Sequence, residues 1–151
     1  MKNLVKKLFT QEDLAAIGTA IGLAEKTTSG EIRVSIRQKR RWSERKLTIE
    51  EITRREFELL GMTKTRDRTG VLFFLLLQER KFFILADQGI HTKVDEGTWT
   101  KIAGEISSHF AQNQFCHGII FGIKAAGEIL SKHFPRKSDD TNELPNDVHV
   151  H

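Results

Sequence analysis

The apolar positions of this chain fall into three spacings, and their order predicts the layers of the fold. From Gly70 to Ile90 the chain reads GVLFFLLLQERKFFILADQGI. Val71 to Leu77 is unbroken apolar sequence, Gln78-Glu79-Arg80 interrupts it, and Phe82 to Ala86 ends at Asp87-Gln88-Gly89. Runs of this length, rich in Phe, Val and Ile and bounded by turn residues, predict strands buried on both faces. The short break joins them as an antiparallel hairpin. In Glu31 to Arg37, Ile32, Val34 and Ile36 alternate with Arg33, Ser35 and Arg37, which predicts a half-buried strand.

Elsewhere the period is helical. Thr10 to Lys26 places Leu14, Ile17, Ile21 and Ala24 on one face. Thr10 with Asp13 forms an imperfect capping box, Asp standing for the usual Glu. Gly18 and Gly22 weaken this helix, so packing, with a close approach to the sheet, must hold it. A second helix is predicted from Ser43 to Leu60 with Gly61 as its stop. A third runs from a cap at Asp95 to Asn113, carrying Trp99, Ile102, Ile106 and Phe110 inward. The last runs from Phe115 to His133 on Ile119, Ile123, Ala126 and Leu130, and Phe134-Pro135 stops it. The order is α-β-α-β-β-α-α. Its strand–helix–strand unit makes the first two strands parallel through a right-handed crossover. The result is an α/β domain with a small mixed sheet of about three to four strands and helices on both faces. Residues 1–9 are a lead, 10–135 the domain, and 136–151 a polar acidic tail with Asp139, Asp140, Glu143 and Asp147, expected to be flexible and solvated.

Composition narrows the class of protein. At 38% hydrophobic and 29% charged residues, the chain is of the soluble globular kind. No stretch reaches the ~18–20 apolar residues that span a bilayer. Lys6 and Lys7 break the apolar start, so no signal peptide and a cytoplasmic location are expected. Cys116 stands alone, which excludes a disulfide framework and a cysteine-rich zinc site. The net charge of +4 permits an anionic partner. Much of it is local, in Arg37, Lys39, Arg40, Arg41, Arg45 and Lys46 around Trp42, with Glu44 against them.

The topology brings acidic residues together. If the first two strands are parallel, their starting ends and the finishing end of the third share one sheet edge. Glu31, Asp67 and Asp87 then converge, Gly89 supplies a sharp turn, and Asp95 and Glu96 follow. Thr28 and Ser29 add hydroxyls beside Glu31. Oxygen ligands of this kind suit Ca²⁺ or Mg²⁺. The same residues also suit a helix cap at Asp95, a turn at Asp87, and a pairing of Glu31 with Arg66 or Arg68.

For catalysis the chain offers little. A Cys-based phosphatase needs an Arg six positions after its nucleophile, and six beyond Cys116 stands Gly122. There is no phosphate-binding P-loop, no GxSxG elbow, and no HExxH among His91, His109, His117 and His133. His91 follows the acidic loop as a proton donor or a plain surface residue, and Cys116 reads as packing. A metal-binding protein-interaction module asks least of these residues. A weak metal-dependent phosphatase is second. Nucleic-acid binding through Arg37 to Lys46, with Trp42 stacking a base, is a distant third.

Four segments together, AEKTTSGEIRVSI, LGMTKTRDRTGVLFFLL, ERKFFILADQGIHTKV and FCHGIIFGIKAAGEILSKHFP, resemble the TPM domain of thylakoid-lumen, photosystem-repair and many bacterial proteins. The resemblance covers Thr10 to Pro135 and is nearest to a short soluble bacterial branch. It implies a three-layer α/β/α sandwich and a divalent-ion site, commonly calcium, in the acidic loops. On matching positions that site includes Glu31 and Asp87, followed by Asp95 and Glu96. Acid phosphatase activity has been attributed to plant members. Relatives often carry Asn before the Gly of the central strand, where this chain has Thr69.

Overall fold

Two parallel strands, β1 (Glu31–Arg37) and β2 (Gly70–Leu76), form the centre of the computed structural model, which describes residues 3–65, 67–136 and 148–150. β3 (Lys81–Ala86) returns antiparallel to β2, as the hairpin predicts. The sheet has 4 strands in the order β3-β2-β1-β4, because β4 (His149–Val150) pairs in parallel with Ser35 and Ile36 of β1. Thus a strand stands within the segment expected to be a flexible acidic tail. Residues 137–147, with Asp139, Asp140, Glu143 and Asp147, lie outside the described residues.

The helices are α1 (Leu4–Leu8), α2 (Gln11–Glu25), α3 (Ile49–Leu59), α4 (Gln88–His91), α5 (Glu96–Ala111) and α6 (Phe115–His133). Thr10 caps α2 as the sequence predicts. Its hydroxyl accepts from Asp13 N–H and the Asp13 carboxylate accepts from Thr10 N–H, each at 2.9 Å. A second box, Thr48 with Glu51, starts α3. The expected helix start at Ser43 is instead a single 3₁₀ turn, Trp42–Glu44. Gly61, at φ 74°, terminates the α3 region as expected. α1 and α4 are too short to show a helical period in the sequence.

Register divides the sheet into two unlike faces. Ile32, Val34 and Ile36 align with Val71, Phe73 and Leu75, and these meet α2, α5 and α6. On the other face, Leu72, Phe74, Leu76 and Leu85 meet Ile52 and Phe57 of α3. On that face Arg33, Ser35 and Arg37 lie beside Leu72, Phe74 and Leu76.

Two burial expectations change. β1 is not half-buried: all seven residues are enclosed, because a strand in a parallel pair has a layer on each face. β3 is not buried throughout. It is a sheet edge, and Lys81 is exposed while Phe82, Phe83 and Ile84 are half-buried. Gly18 and Gly22 are half-buried in α2. The close approach in this layer is between α2 and α6, where a Cβ on Gly127 would lie 2.8 Å from Ala24 Cβ.

Candidate functional site

Strand pairing delivers the predicted convergence of backbone ends. Glu31 N–H donates to Thr69 O at 3.2 Å, and Asp87 N–H to Gly70 O at 2.9 Å. Thr69 therefore serves through its carbonyl. The side chains then part. Asp87, only 7% exposed, is gripped by Arg68: Nε donates to Oδ2 at 2.9 Å and Nη2 to Oδ1 at 3.2 Å. Gln88 N–H also donates to Oδ1, at 2.7 Å, so Asp87 caps α4 as well. The hydrogen bonds to Asp87, reinforced by its charge, hold the Arg68 pKa above its ordinary value.

Arg68 reaches this position from a left-handed backbone, φ 56°, which costs a non-glycine residue about 1–2 kcal/mol. Its carbonyl accepts from Gly89 N–H at 2.9 Å. A Cβ on Gly89 would lie 2.3 Å from Asp67 O and 2.6 Å from Arg68 O. Gly89 is therefore required for a close backbone approach, not for the sharp turn expected of it, since its φ is not positive. A cavity of about 360 Å³ opens here between Arg54, Thr63, Arg68, Asp87, Gln88 and His91.

Glu31 turns the other way, into a buried charged column that the sequence reading missed. Arg33, 1% exposed, donates from Nη2 to Glu31 Oε2 at 2.9 Å and from Nη1 to Glu25 Oε2 at 2.8 Å. The same Glu25 oxygen accepts Ile32 N–H at 2.7 Å, taking the place of a neighbouring strand on that edge of β1. Further along, Ser35 Oγ donates to Glu56 Oε2 at 2.6 Å. Arg37 joins Glu56 at 3.2 Å and Glu44 at 2.5 Å, and its guanidinium lies 5.2 Å from the centre of the Phe74 ring. The available signal was Glu56, which shares the inward stripe of α3 with Ile52 and Thr53.

Burial pushes the Glu25 carboxyl above its ordinary value of 4.5, against the opposing pull of Arg33 and the Ile32 N–H. The unfolded chain therefore loses this proton first as pH rises. Stability from Glu25 is highest below 4.5 and declines up to its folded value. In Glu25→Gln, the wild-type-minus-variant difference in unfolding free energy will accordingly fall as pH rises from 4.5 to the folded value and level off above it. Urea titrations at a series of pH values check this, and a flat difference contradicts it.

Asp67, Asp95 and Glu96 are exposed, and Asp95 holds the N-cap position of α5 without a side-chain capping bond. Among the described residues, no three His, Cys, Asp or Glu side chains gather to hold an ion. The donor chemistry at this sheet end suits a hard cation, but the side chains do not form its coordination shell as they stand. Thr28 and Ser29 do not join this edge. The Thr28 hydroxyl faces the carbonyls of Leu130 and Phe134, and Ser29 N–H donates to Phe134 O at 3.0 Å. Arg66, the other expected partner of Glu31, lies outside the described residues.

The basic stretch is not uniformly a surface. Arg37 is buried, as above. Arg40 forks onto Glu79 at 2.6 and 2.8 Å, and its Nη1 donates to the carbonyls of Glu44 and Leu47, each at 2.9 Å. The fork with Glu79 raises the Arg40 pKa and lowers that of Glu79. Lys39, Arg41, Arg45 and Lys46 are exposed, Arg45 lying 3.6 Å over the Trp42 ring. Burial, then the nearby Asp13, pushes the Cys116 thiol up to about 11, which keeps it from being a ready nucleophile.

A mixed open sheet with α2, α5 and α6 on one face and α3 on the other defines an α/β/α sandwich. The TPM domain model matches residues 5–129, and the chain belongs to the TPM domain family. The BA42 protein of the psychrophilic bacterium Bizionia argentinensis is similar at 35% identity over 95% of each chain, with a TM-score of 0.85. An N-terminal domain of a P. gingivalis protein shares the fold at 16% identity and TM-score 0.68, over 84% of this chain and 79% of that one. The N-terminal domain of the cg2496 protein of Corynebacterium glutamicum shares it at 12% and 0.60, over 95% and 81%. No curated protein matches the chain. Among the described residues, no helix is long and apolar enough to cross a membrane.

Proposed function

We propose that this TPM domain is a cytoplasmic binding module that works by contact with another protein, and that its acidic sheet end takes a divalent cation. Calcium is the first candidate and magnesium the alternative. The fork of Arg68 on Asp87 carries this reading. A nearly buried carboxylate faces an open polar cavity, and one guanidinium, 46% exposed in its side chain, supplies its positive charge. Arg68 thus stands where a hard cation would satisfy the same oxygens. Asp67, in the same turn as Arg68, and Asp95 with Glu96 at the head of α5 are the further oxygen donors. Binding therefore requires Arg68 to withdraw.

Calorimetry of chelator-treated protein with Ca²⁺ and Mg²⁺ tests this, taken to ~10 mM because weak modules bind at about 10⁻³ M. Asp87→Ala is expected to abolish binding, and Arg68→Ala to strengthen it several-fold by removing the competing charge. No heat and no shift in Tm with either ion defeats the cation reading.

A weak metal-dependent phosphatase is the second reading, favoured by Arg54, Arg68 and His91 on the same cavity. There two guanidiniums could take phosphate oxygens and an imidazole could move a proton. Phosphatase assays on the same samples, with and without ion, separate the two.

A further inference from the structure

The finishing end of β1, opposite the acidic turn, borders a groove of about 950 Å³. Val5, Phe9 and Leu14 line it as an apolar floor, and Lys6, Lys39 and Arg41 are exposed around it. None of the described residues lining it is Asp or Glu. Arg37 and Arg40 also border it, but their charges are engaged by Glu44, Glu56 and Glu79. Trp42 stands at the lip, 77% exposed. The adjoining edge of β1 already accepts an extended segment, β4, and Val150 of that strand lines the groove.

We propose that this groove docks an acidic, extended peptide segment of a partner protein. An apolar side chain of the peptide enters over Phe9 and Leu14, and flanking carboxylates face Lys6, Lys39 and Arg41. The charge of the rim selects an anionic partner. Two observations favour a peptide over single-stranded nucleic acid. A base stacks best on a free aromatic platform, and the Arg45 guanidinium already occupies one face of the Trp42 ring, leaving a single face to share. An apolar floor beside the short edge strand β4 suits a side chain on an extended backbone. The inference rests on the binding-module reading and is independent of the cation, which belongs to the other end of β1.

The test is fluorescence anisotropy on the full chain. The probe is a labelled peptide of roughly ten residues, Asp and Glu flanking a central Leu-Phe, long enough to cover such a groove. Saturable binding is expected. The Lys39→Glu/Arg41→Glu pair should weaken it about tenfold or more, through reversal of two rim charges. The same pair should also gain affinity for a peptide with Lys in place of the acids. Lys124→Glu, on the exposed face of α6, should leave the affinity unchanged. Absence of saturable binding overturns the proposal, as does indifference to the charge reversal. Tighter binding of an oligothymidylate of matched length assigns the groove to nucleic acid and overturns it too. Protein that binds cation but no peptide refutes this groove alone, whereas protein that binds neither refutes the module reading with it.

Discussion

Arg33→Met will destabilise the domain by about 3–5 kcal/mol, the usual cost of removing one member of a buried ionic cluster. Arg33 is 1% exposed and bridges Glu25 and Glu31, which are themselves buried. Met fills much of the guanidinium's volume, so the loss is one of charge compensation more than of packing. Adding Glu25→Gln and Glu31→Gln to Arg33→Met should recover a large part of the loss, because neutral groups no longer need the cation. The recovery will be incomplete, since the neutral Gln oxygen accepts the Ile32 N–H less strongly than the Glu25 carboxylate does. Denaturant midpoints of the three proteins measure both steps. A single-variant cost below about 1 kcal/mol, typical of an exposed ion pair, would show that water reaches the column.

Gly89→Ala is the second large effect. Its new Cβ would meet two backbone oxygens, at 2.3 Å from Asp67 and 2.6 Å from Arg68, and neither can move without reshaping the turn that presents Arg68. A cost of about 1–3 kcal/mol is expected from overpacking. Loss of the Arg68–Asp87 fork should accompany it, visible as altered NMR shifts at Arg68 and Asp87. Gly104→Ala is the matched control. It lies inside α5 with nothing within 4 Å of the added carbon, so the better helix propensity of Ala should stabilise by up to about 1 kcal/mol. If Gly89→Ala is as stable as wild type, the close approach of α4 to the turn is not a constraint in solution.

The layers were legible because periodicity, caps and stops reported on the same elements. Thr10 with Asp13 set the start of α2, Gly61 followed the end of α3, and Gln78 to Arg80 marked the hairpin. The strand–helix–strand order foretold the parallel pair. The polar face of β1 was misread because alternation reports which residues are apolar, not which faces are covered. Glu31, Arg33, Ser35 and Arg37 look like a solvent face until α3 and the turn at Trp42–Glu44 bring Glu56 and Glu44 over them.

The candidate site was legible to the level of the backbone. Register put Glu31, Thr69, Gly70 and Asp87 at one sheet end, as topology required. Side-chain direction was not contained in spacing. Glu31 found Arg33 two residues away on its own strand face, and Asp87 found Arg68 across the turn. Part of the basic stretch was misread for a similar reason. Arg37 belongs to a buried strand and Arg40 braces a loop, although both sit in a run of charges that looks uniformly exposed.

The unequal thickness of the sandwich has a consequence for how the molecule breathes. On one face α3, with Met62 and Leu47 beside it, rests on a small apolar cluster, whereas α2, α5 and α6 share a much larger one. Lifting α3 would hydrate carboxylates and guanidiniums that are costly to keep dry, and that gain offsets part of the lost apolar contact. The α3 side is therefore the natural subglobal opening unit, with amides of α3 exchanging with solvent well before those of α6. The charged column makes one face of the sheet a hinged shutter, and the triple-helix face remains the frame on which it closes.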